Sequence, residues 1–497
     1  MSNELLISLI LIVPLLVGVG VLIFNSIPDV REGCTLVGAG LLFILCCIMA
    51  SRVAAGQDVA LPGEGMAEWS VALGLSFQFK LEPLGAMFAL IASGLWILNS
   101  LYSIGYMRGS RERNQTRFYF CFGVAIFGAM GVAMSGNLFT LFVFYEVLTL
   151  STYPLVAHKG DENARRGARI YLLTLLGTSI GFLLFATVWT FAIAGSLDFV
   201  PGGLLAGQVG PWIGGVLLLL FAFGIGKAAL MPFHFWLPNA MVAPTPVSAL
   251  LHAVAVVKAG VFTVLKVAVY IFGLDLLSAL PATEVVIWVG CFTIVVASLI
   301  ALTKDNLKAR LAYSTVSQLS YVTVGAMLAN TAGATGAGLQ IAMHAVAKMT
   351  LFMCAGAIYV ATGKTEISQM RGLGKKMPIV FTCFFIASLS IIGVPPLGGA
   401  WAKYELMQSA IDADRVYVVI VLIASTLLNV AYLLPIAILG LLPPKDPALE
   451  IAAFKRPGGA PALTVIPLSI TALGCFLLFF GVDYISDFIQ PVFGARP

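Results

Sequence analysis

Long apolar runs fill this chain, each close to the length of a bilayer crossing, separated by short polar connections. A helix spanning the hydrocarbon core needs ~20 predominantly apolar residues. The pattern predicts about fourteen spans, centred near residues 15, 42, 94, 126, 146, 180, 223, 258, 293, 320, 348, 390, 427 and 473. The run over residues 5–24 has only Glu4 ahead of it and no small-residue cleavage site behind it. It therefore reads as a retained helix and not as a signal peptide. The expected fold class is an all-α integral membrane protein.

The connections alternate in charge. Basic ones follow span 3 (Arg108, Arg111, Arg113, Arg117), span 5 (Lys159, Arg165, Arg166, Arg169) and span 9 (Lys304, Lys308, Arg310). Others follow span 11 (Lys364, Arg371, Lys375, Lys376) and span 13 (Lys445, Lys455, Arg456). Those after spans 4, 6, 8 and 10 carry no Lys or Arg. Excess Lys and Arg mark cytoplasmic loops, so both termini are expected outside a bacterial or archaeal cytoplasmic membrane.

Two spans carry helix breakers. Span 7 runs through Lys227 into Pro232, Pro238, Pro244 and Pro246; span 12 is interrupted by GVPPLGG at 393–399, with Pro395 and Pro396, and resumes at Lys403. A proline inside a helix removes a backbone hydrogen bond, which a bilayer tolerates only where neighbours or water satisfy the freed groups. Interrupted segments at matching places in two halves point to inverted repeats. Span 7 is fourth in a unit of spans 4–8 and span 12 fourth in a unit of spans 9–13. The expected division is 1–116 (helices 1–3), 117–275 and 276–441 (two inverted five-helix repeats) and 442–497 (helix 14).

Composition adds two constraints. With 60% hydrophobic and 10% charged residues, against about 25% charged in soluble domains, the chain leaves no room for a soluble catalytic domain. No catalytic site of its own is expected. The cysteines (Cys34, Cys46, Cys47, Cys121, Cys291, Cys354, Cys383 and Cys475) form no CxxC pair and read as small buried hydrophobes. No metal site, cofactor or nucleic-acid partner is expected.

The candidate chemistry lies in the charges that fall inside the spans: Glu146, Lys227, His252, Lys258, His344, Lys348 and Lys403. An ionisable group at membrane depth costs about 2.5–3.5 kcal/mol on insertion scales, and its default reading is an ion or proton route. A Glu146–Lys227 pair of variable separation is a switch for lysine protonation; the alternative is a static salt bridge between spans 5 and 7. His344 and Lys348, four apart, share a helical face. His252 and Lys258 are six apart, so either a bulge realigns them or one alone lines the path. Lys403 follows the second break, with Glu405 toward the rim. His158 and His234 lie at span ends. Span 10 adds Ser314, Thr315, Ser317, Gln318, Ser320 and Tyr321, able to hold water between titratable sites.

Several of these stretches resemble one family. KDNLKARLAYSTVSQLSY at 304–321, KAALMPFHFWLPN at 227–239, APTPVSALLH at 243–252 and HAVAKMTLF at 344–352 are similar to motifs of the antiporter-like subunits of respiratory complex I. The same subunits recur in Mrp cation/proton antiporters and membrane-bound hydrogenases. The resemblance implies fourteen helices with inverted five-helix repeats and a hydrated charge axis. It gives Glu146 and Lys227 the helix 5 and 7 pair, and Lys258 with His252 the helix 8 relay. His344 and Lys348 take the helix 11 relay, and Lys403 the helix 12 terminus. The chain stops about ten residues after span 14, as in the Mrp D subunit or its hydrogenase equivalent, whereas the 243–252 stretch looks more like the large-subunit pattern. The reading is a proton-translocating subunit of a multisubunit complex, with other membrane subunits, including further antiporter-like ones, and the lipid bilayer as partners. The alternatives are a subunit of a Na+/H+ antiporter, one for ion-coupled inorganic-carbon uptake, and a quinone-binding redox subunit.

Overall fold

The computed structural model describes residues 2–62, 69–72, 75–250, 254–443 and 459–494. His252 and the basic residues Lys445, Lys455 and Arg456 lie outside the described residues.

Helices dominate. In chain order they are α1 (Asn3–Ile23), α2 (Pro28–Ala54), α3 (Pro83–Gly109), α4 (Gln115–Ala133), α5 (Leu138–Val156) and α6 (Glu162–Ala194). Then come α7 (Pro211–Gly224), α8 (Val256–Val267), α9 (Pro281–Thr303), α10 (Leu307–Met327) and α11 (Thr331–Thr362). The chain continues through α12 (Pro378–Ile392), α13 (Gly399–Asp412), α14 (Val416–Leu441), α15 (Ala462–Phe480) and α16 (Val482–Gly494). Short antiparallel pairs, β1 (Val59–Leu61) with β4 (Phe79–Leu81) and β2 (Trp69–Ala72) with β3 (Leu75–Phe77), sit between α2 and α3.

Among the described residues ten helices are long and apolar enough to cross a membrane: α1–α6, α9, α11, α14 and α15. The protein is multi-pass. The expected spans outside that set are 7, 8, 10 and 12, which carry the breaks, Lys258 or the polar row of α10. The breaks leave α7 and α12 apolar but short, at 14 and 15 residues.

Local signals set the helix ends. Asn137, Asp161, Asn306 and Asn330 cap α5, α6, α10 and α11, each side chain accepting from a first-turn amide, an arrangement worth about 1 kcal/mol. Helix α11, 32 residues long and so ~48 Å at 1.5 Å per residue, is almost wholly buried and packs against α3, α10, α12, α13 and α15. It is the central post. Large apolar side chains on outer helices face away from the bundle, among them Val37, Leu173, Leu427 and Leu477, as a lipid-facing surface requires.

Both predicted breaks are present. After α7 the chain makes a tight turn through Lys227 (Gly226–Ala228) and re-enters helix only in short pieces before α8. The freed backbone groups find side-chain partners: Tyr145 Oη accepts from Lys227 N (3.1 Å), Thr293 Oγ1 from Met231 N (3.2 Å), and Trp236 Nε1 donates to Gly226 O (2.9 Å). The second break separates α12 from α13; Gly393, at φ +90°, ends α12 in the left-handed region, which glycine enters without a Cβ penalty.

A candidate proton axis

The first break fixes Lys227 in the interior. Its ammonium donates to Tyr145 O (2.9 Å) and Thr149 Oγ1 (2.6 Å) on α5 and lies 3.0 Å from the centroid of the Tyr145 ring. Glu146 is on the same helix, yet it makes no ion pair with Lys227 within 4.0 Å among the described residues. Neither oxygen of its buried carboxylate accepts a hydrogen bond among the described residues. Here the two charges act through space. Gly260 on α8 lets this turn approach closely: a Cβ there would lie 2.4 Å from the Lys227 carbonyl carbon. The turn therefore rests two residues from Lys258.

Lys258 Nζ lies 2.5 Å from His344 Nδ1 on α11, both side chains fully buried. Two unit positive charges at that distance would repel by ~7 kcal/mol at an effective dielectric of 20. The pair therefore does not carry two full positive charges at once. The other ring nitrogen, Nε2, is buried without a hydrogen-bond partner among the described residues. It belongs to a side chain lining a narrow gap shared by Gln318, Gln340, Met343, Ser390 and Lys403. That gap is too tight to admit a water centre in this conformation.

At the far end Lys403 Nζ donates to Ile392 O (2.9 Å), the last residue of α12, and to Thr426 Oγ1 (2.9 Å) on α14, 5.4 Å from the Tyr321 ring centroid. The carbonyl freed by the second break is thus taken by the lysine that follows it. Lys348, expected beside His344, instead reaches Ser314 Oγ (2.5 Å) and Leu311 O (3.3 Å) on α10, and Tyr432 Oη donates to the same Ser314 hydroxyl (2.8 Å).

The polar row of α10 divides. Ser314 meets Lys348, Gln318 accepts from Gln340 (2.8 Å), and Ser317 joins Ser298 and Ser425 in a hydroxyl cluster. Thr315 and Ser320 turn back onto their own helix. Buried atoms without hydrogen-bond partners among the described residues gather along this route: both Glu146 oxygens, His344 Nε2, Gln318 Nε2 and Tyr321 Oη. Such groups in native proteins call for a specific explanation. The chemistry on offer is proton exchange between nitrogens and oxygens.

Comparison with known proteins now decides the family. The family model described as NADH:quinone oxidoreductase/Mrp antiporter, TM, matches residues 135–430, and that for the N-terminus of complex I chain 5 matches residues 69–119. The chain belongs to this antiporter-like family. NADH-quinone oxidoreductase subunit N of Desulforudis audaxviator is 30% identical over 502 residues, 97% of each chain. NAD(P)H-quinone oxidoreductase chain 5 of Synechocystis sp. is 31% identical over 449 residues, covering 83% of this chain and 63% of the relative. The match to a probable K(+)/H(+) antiporter protein of Rhizobium meliloti spans 40% of that relative's length. A chain in the structure of the Mrp complex from Dietzia sp. shares the fold, with a TM-score of 0.82 at 21% identity over 98% of this chain and 97% of that one.

In this antiporter-like chain the structure also gives partners to charges outside the candidate axis. Lys266, 1% exposed, forms an ion pair with Glu82 (3.3 Å). Lys308 donates to Ala243 O (2.5 Å) in a cavity of about 130 Å³ that Lys159, Lys364 and Tyr106 also line. Lys266 was findable: it stands eight residues beyond Lys258 in the same apolar run. The shared cavity gathers residues from three basic connections at one end of the bundle, as charge alternation expects. Glu405 is half-buried, His234 lies near Tyr313 (6.1 Å between ring centroids), and His158 is buried just beyond α5.

Proposed function

We propose that this chain is the proton-translocating antiporter-like subunit of a multisubunit membrane complex. Protons move along Glu146, Lys227, Lys258, His344, Lys348 and Lys403, with His252 beside Lys258. The observation that carries the reading is the Lys258–His344 contact at 2.5 Å: two basic groups meet without two full positive charges, and His344 lines the gap toward Lys403. An imidazole accepts at one nitrogen and donates from the other, which suits a relay and not a brace.

The division into helices 1–3 (1–116), two inverted five-helix repeats (117–275 and 276–441) and a C-terminal part (442–497) belongs to the same proposal. The breaks that present Lys227 and Lys403 support it. The placement in a cytoplasmic membrane, with the Lys159–Lys308–Lys364 end inward and both termini outward, is part of the same proposal. Other membrane subunits are the proposed partners, in keeping with the complexes in which the relatives occur.

The ion follows from the ligands. Na+ requires several oxygen ligands, and the axis offers one carboxylate among basic groups. The test is ion flux in proteoliposomes carrying the assembled complex. Proton flux that falls at least tenfold in Lys258→Ala is expected. Na+ flux that Lys258→Ala abolishes, without any proton flux, would overturn the assignment.

A further inference from the structure

Lys266 is a buried charge that the axis does not use. It closes α8, eight residues and so ~12 Å along the helix from Lys258. Its ammonium donates to Ser135 O (2.6 Å) just beyond the end of α4 and pairs with Glu82 Oε1 (3.3 Å) at the start of α3. Tyr270 Oη donates to the other Glu82 oxygen (2.6 Å). Three rings surround the ammonium: Phe199 at 4.4 Å, Phe262 at 5.5 Å and Tyr270 at 5.9 Å to their centroids. The Glu82 side chain keeps 14% of its surface exposed while Lys266 keeps 1%. The pair thus stands between an outer aqueous face and a dry interior.

Helix α3 fixes which face this is. It begins beside Glu82 and ends at Gly109, with Tyr106 in the basic cavity of Lys159 and Lys308. The Lys266 site is therefore at the opposite end of the bundle from the basic connections. It lies on α8, the helix that also carries Lys258.

We infer that Lys266, held by Glu82 and Ser135 within the Phe199–Phe262–Tyr270 box, is a proton-excluding seal that closes the outer end of the first repeat. This rests on the axis proposed above. A route that moves protons against a gradient must not open to both faces along one line. The site combines two barriers known to exclude protons and cations from pores: a hydrophobic constriction and a fixed positive charge. Glu82 neutralises enough of that charge for it to be tolerated at depth, and the Ser135 carbonyl fixes the ammonium in line with the helix. Removing the Lys266 side chain would leave a void lined by Glu82 and the Ser135 carbonyl, polar partners of the kind that hold water.

The experiment is passive proton flux through proteoliposomes containing the whole complex, under an imposed pH gradient and with no driving reaction. Lys266→Ala is expected to raise the leak roughly tenfold, the order set by one unit charge at ~10 Å in an effective dielectric of ~20. Lys266→Arg, which keeps the charge, should stay at the wild-type level. Adding Lys258→Ala to Lys266→Ala should remove the leak again. If Lys266→Ala fails to assemble, Lys266→Gln with Glu82→Gln removes both charges together and carries the same readout. A pair that only clamps α3 to α8 would lower thermal stability and leave the flux unchanged; that result overturns the seal. A leak that survives the added Lys258→Ala overturns the link to the axis while leaving a barrier at Lys266.

Discussion

Glu146→Gln separates two roles for the carboxylate, and the structure sets the size of each. Neither Glu146 oxygen accepts a hydrogen bond among the described residues, so the substitution breaks none of those. Lys227 keeps its bonds to Tyr145 O and Thr149 Oγ1. The stability change should then stay within about 1 kcal/mol, the worth of a single ordinary hydrogen bond. The electrostatic effect is larger. With no ion pair within 4.0 Å among the described residues, the attraction at an effective dielectric of 20 runs from ~4 kcal/mol at 4 Å to ~2 kcal/mol at 8 Å. At ~1.4 kcal/mol per tenfold, even the smaller figure is a ~30-fold change in how strongly the carboxylate holds a proton on Lys227. Reconstituted complex carrying Glu146→Gln should therefore assemble in normal yield and unfold at nearly the wild-type temperature. Its proton transport per assembled complex should fall by at least tenfold. Lys227→Ala is the control: it removes the ammonium's bonds and should lose stability and transport together. If Glu146→Gln loses both in equal measure, the carboxylate is a brace. If it loses neither, Glu146 is off the route.

Two further outcomes follow from the same geometry. Lys403→Arg preserves the charge near Ile392 O and Thr426, but arginine does not release its proton; transport should stop with assembly intact, Lys403→Glu should retain part of it, and wild-type pumping by the Arg variant would make Lys403 a fixed charge. At the basic end, burial pushes the His158 imidazole from 6.5 down to about 4, with the Arg117 guanidinium adding to the effect. The folded state therefore resists a proton that the unfolded chain accepts: stability is fully present above pH 6.5 and is lost as pH falls toward 4, by at most ~3 kcal/mol at 1.36 kcal/mol per unit. His158→Phe should flatten the pH dependence of thermal unfolding in that window, and an unchanged slope in the variant would refute it.

The periodicity of apolar runs made the helices legible, and prolines made the breaks legible, because both are one-dimensional signals. Side-chain direction is not. His344 and Lys348 share a helical face by spacing, yet one turns to Lys258 on α8 and the other to Ser314 on α10. That choice depends on which neighbour presents a partner, which no spacing rule encodes. Glu146 and Lys227 were readable as a charge pair, but Tyr145 O and Thr149, one turn of the same α5 surface, take the ammonium instead. Lys266 escaped because its partner Glu82 is far away in sequence and looks like an ordinary loop carboxylate before a helix. His252, outside the described residues, leaves the helix 8 alternatives where the sequence left them.

The buried lysines share a mode of support that bears on how they could work. Lys227, Lys348 and Lys403 are each held by a backbone carbonyl and a hydroxyl, and Lys266 by a carbonyl and Glu82. For Lys403 the carbonyl is the last of α12, where the helix dipole favours a cation. A carbonyl–hydroxyl cradle lowers the cost of an ammonium without pinning it, since it contains no fixed negative charge whose own isolation would be costly once the proton leaves. Direct ion pairing would do the opposite: loss of the proton would strand a carboxylate. On the proposed route the three cradled lysines suit loss and regain of a proton, and Lys266, tied to a carboxylate, suits keeping it. Lys258 differs from all of them. Its side-chain nitrogen meets a ring nitrogen that can itself carry the proton, which on the proposed route suits the α8–α11 contact to passing it from one half to the other.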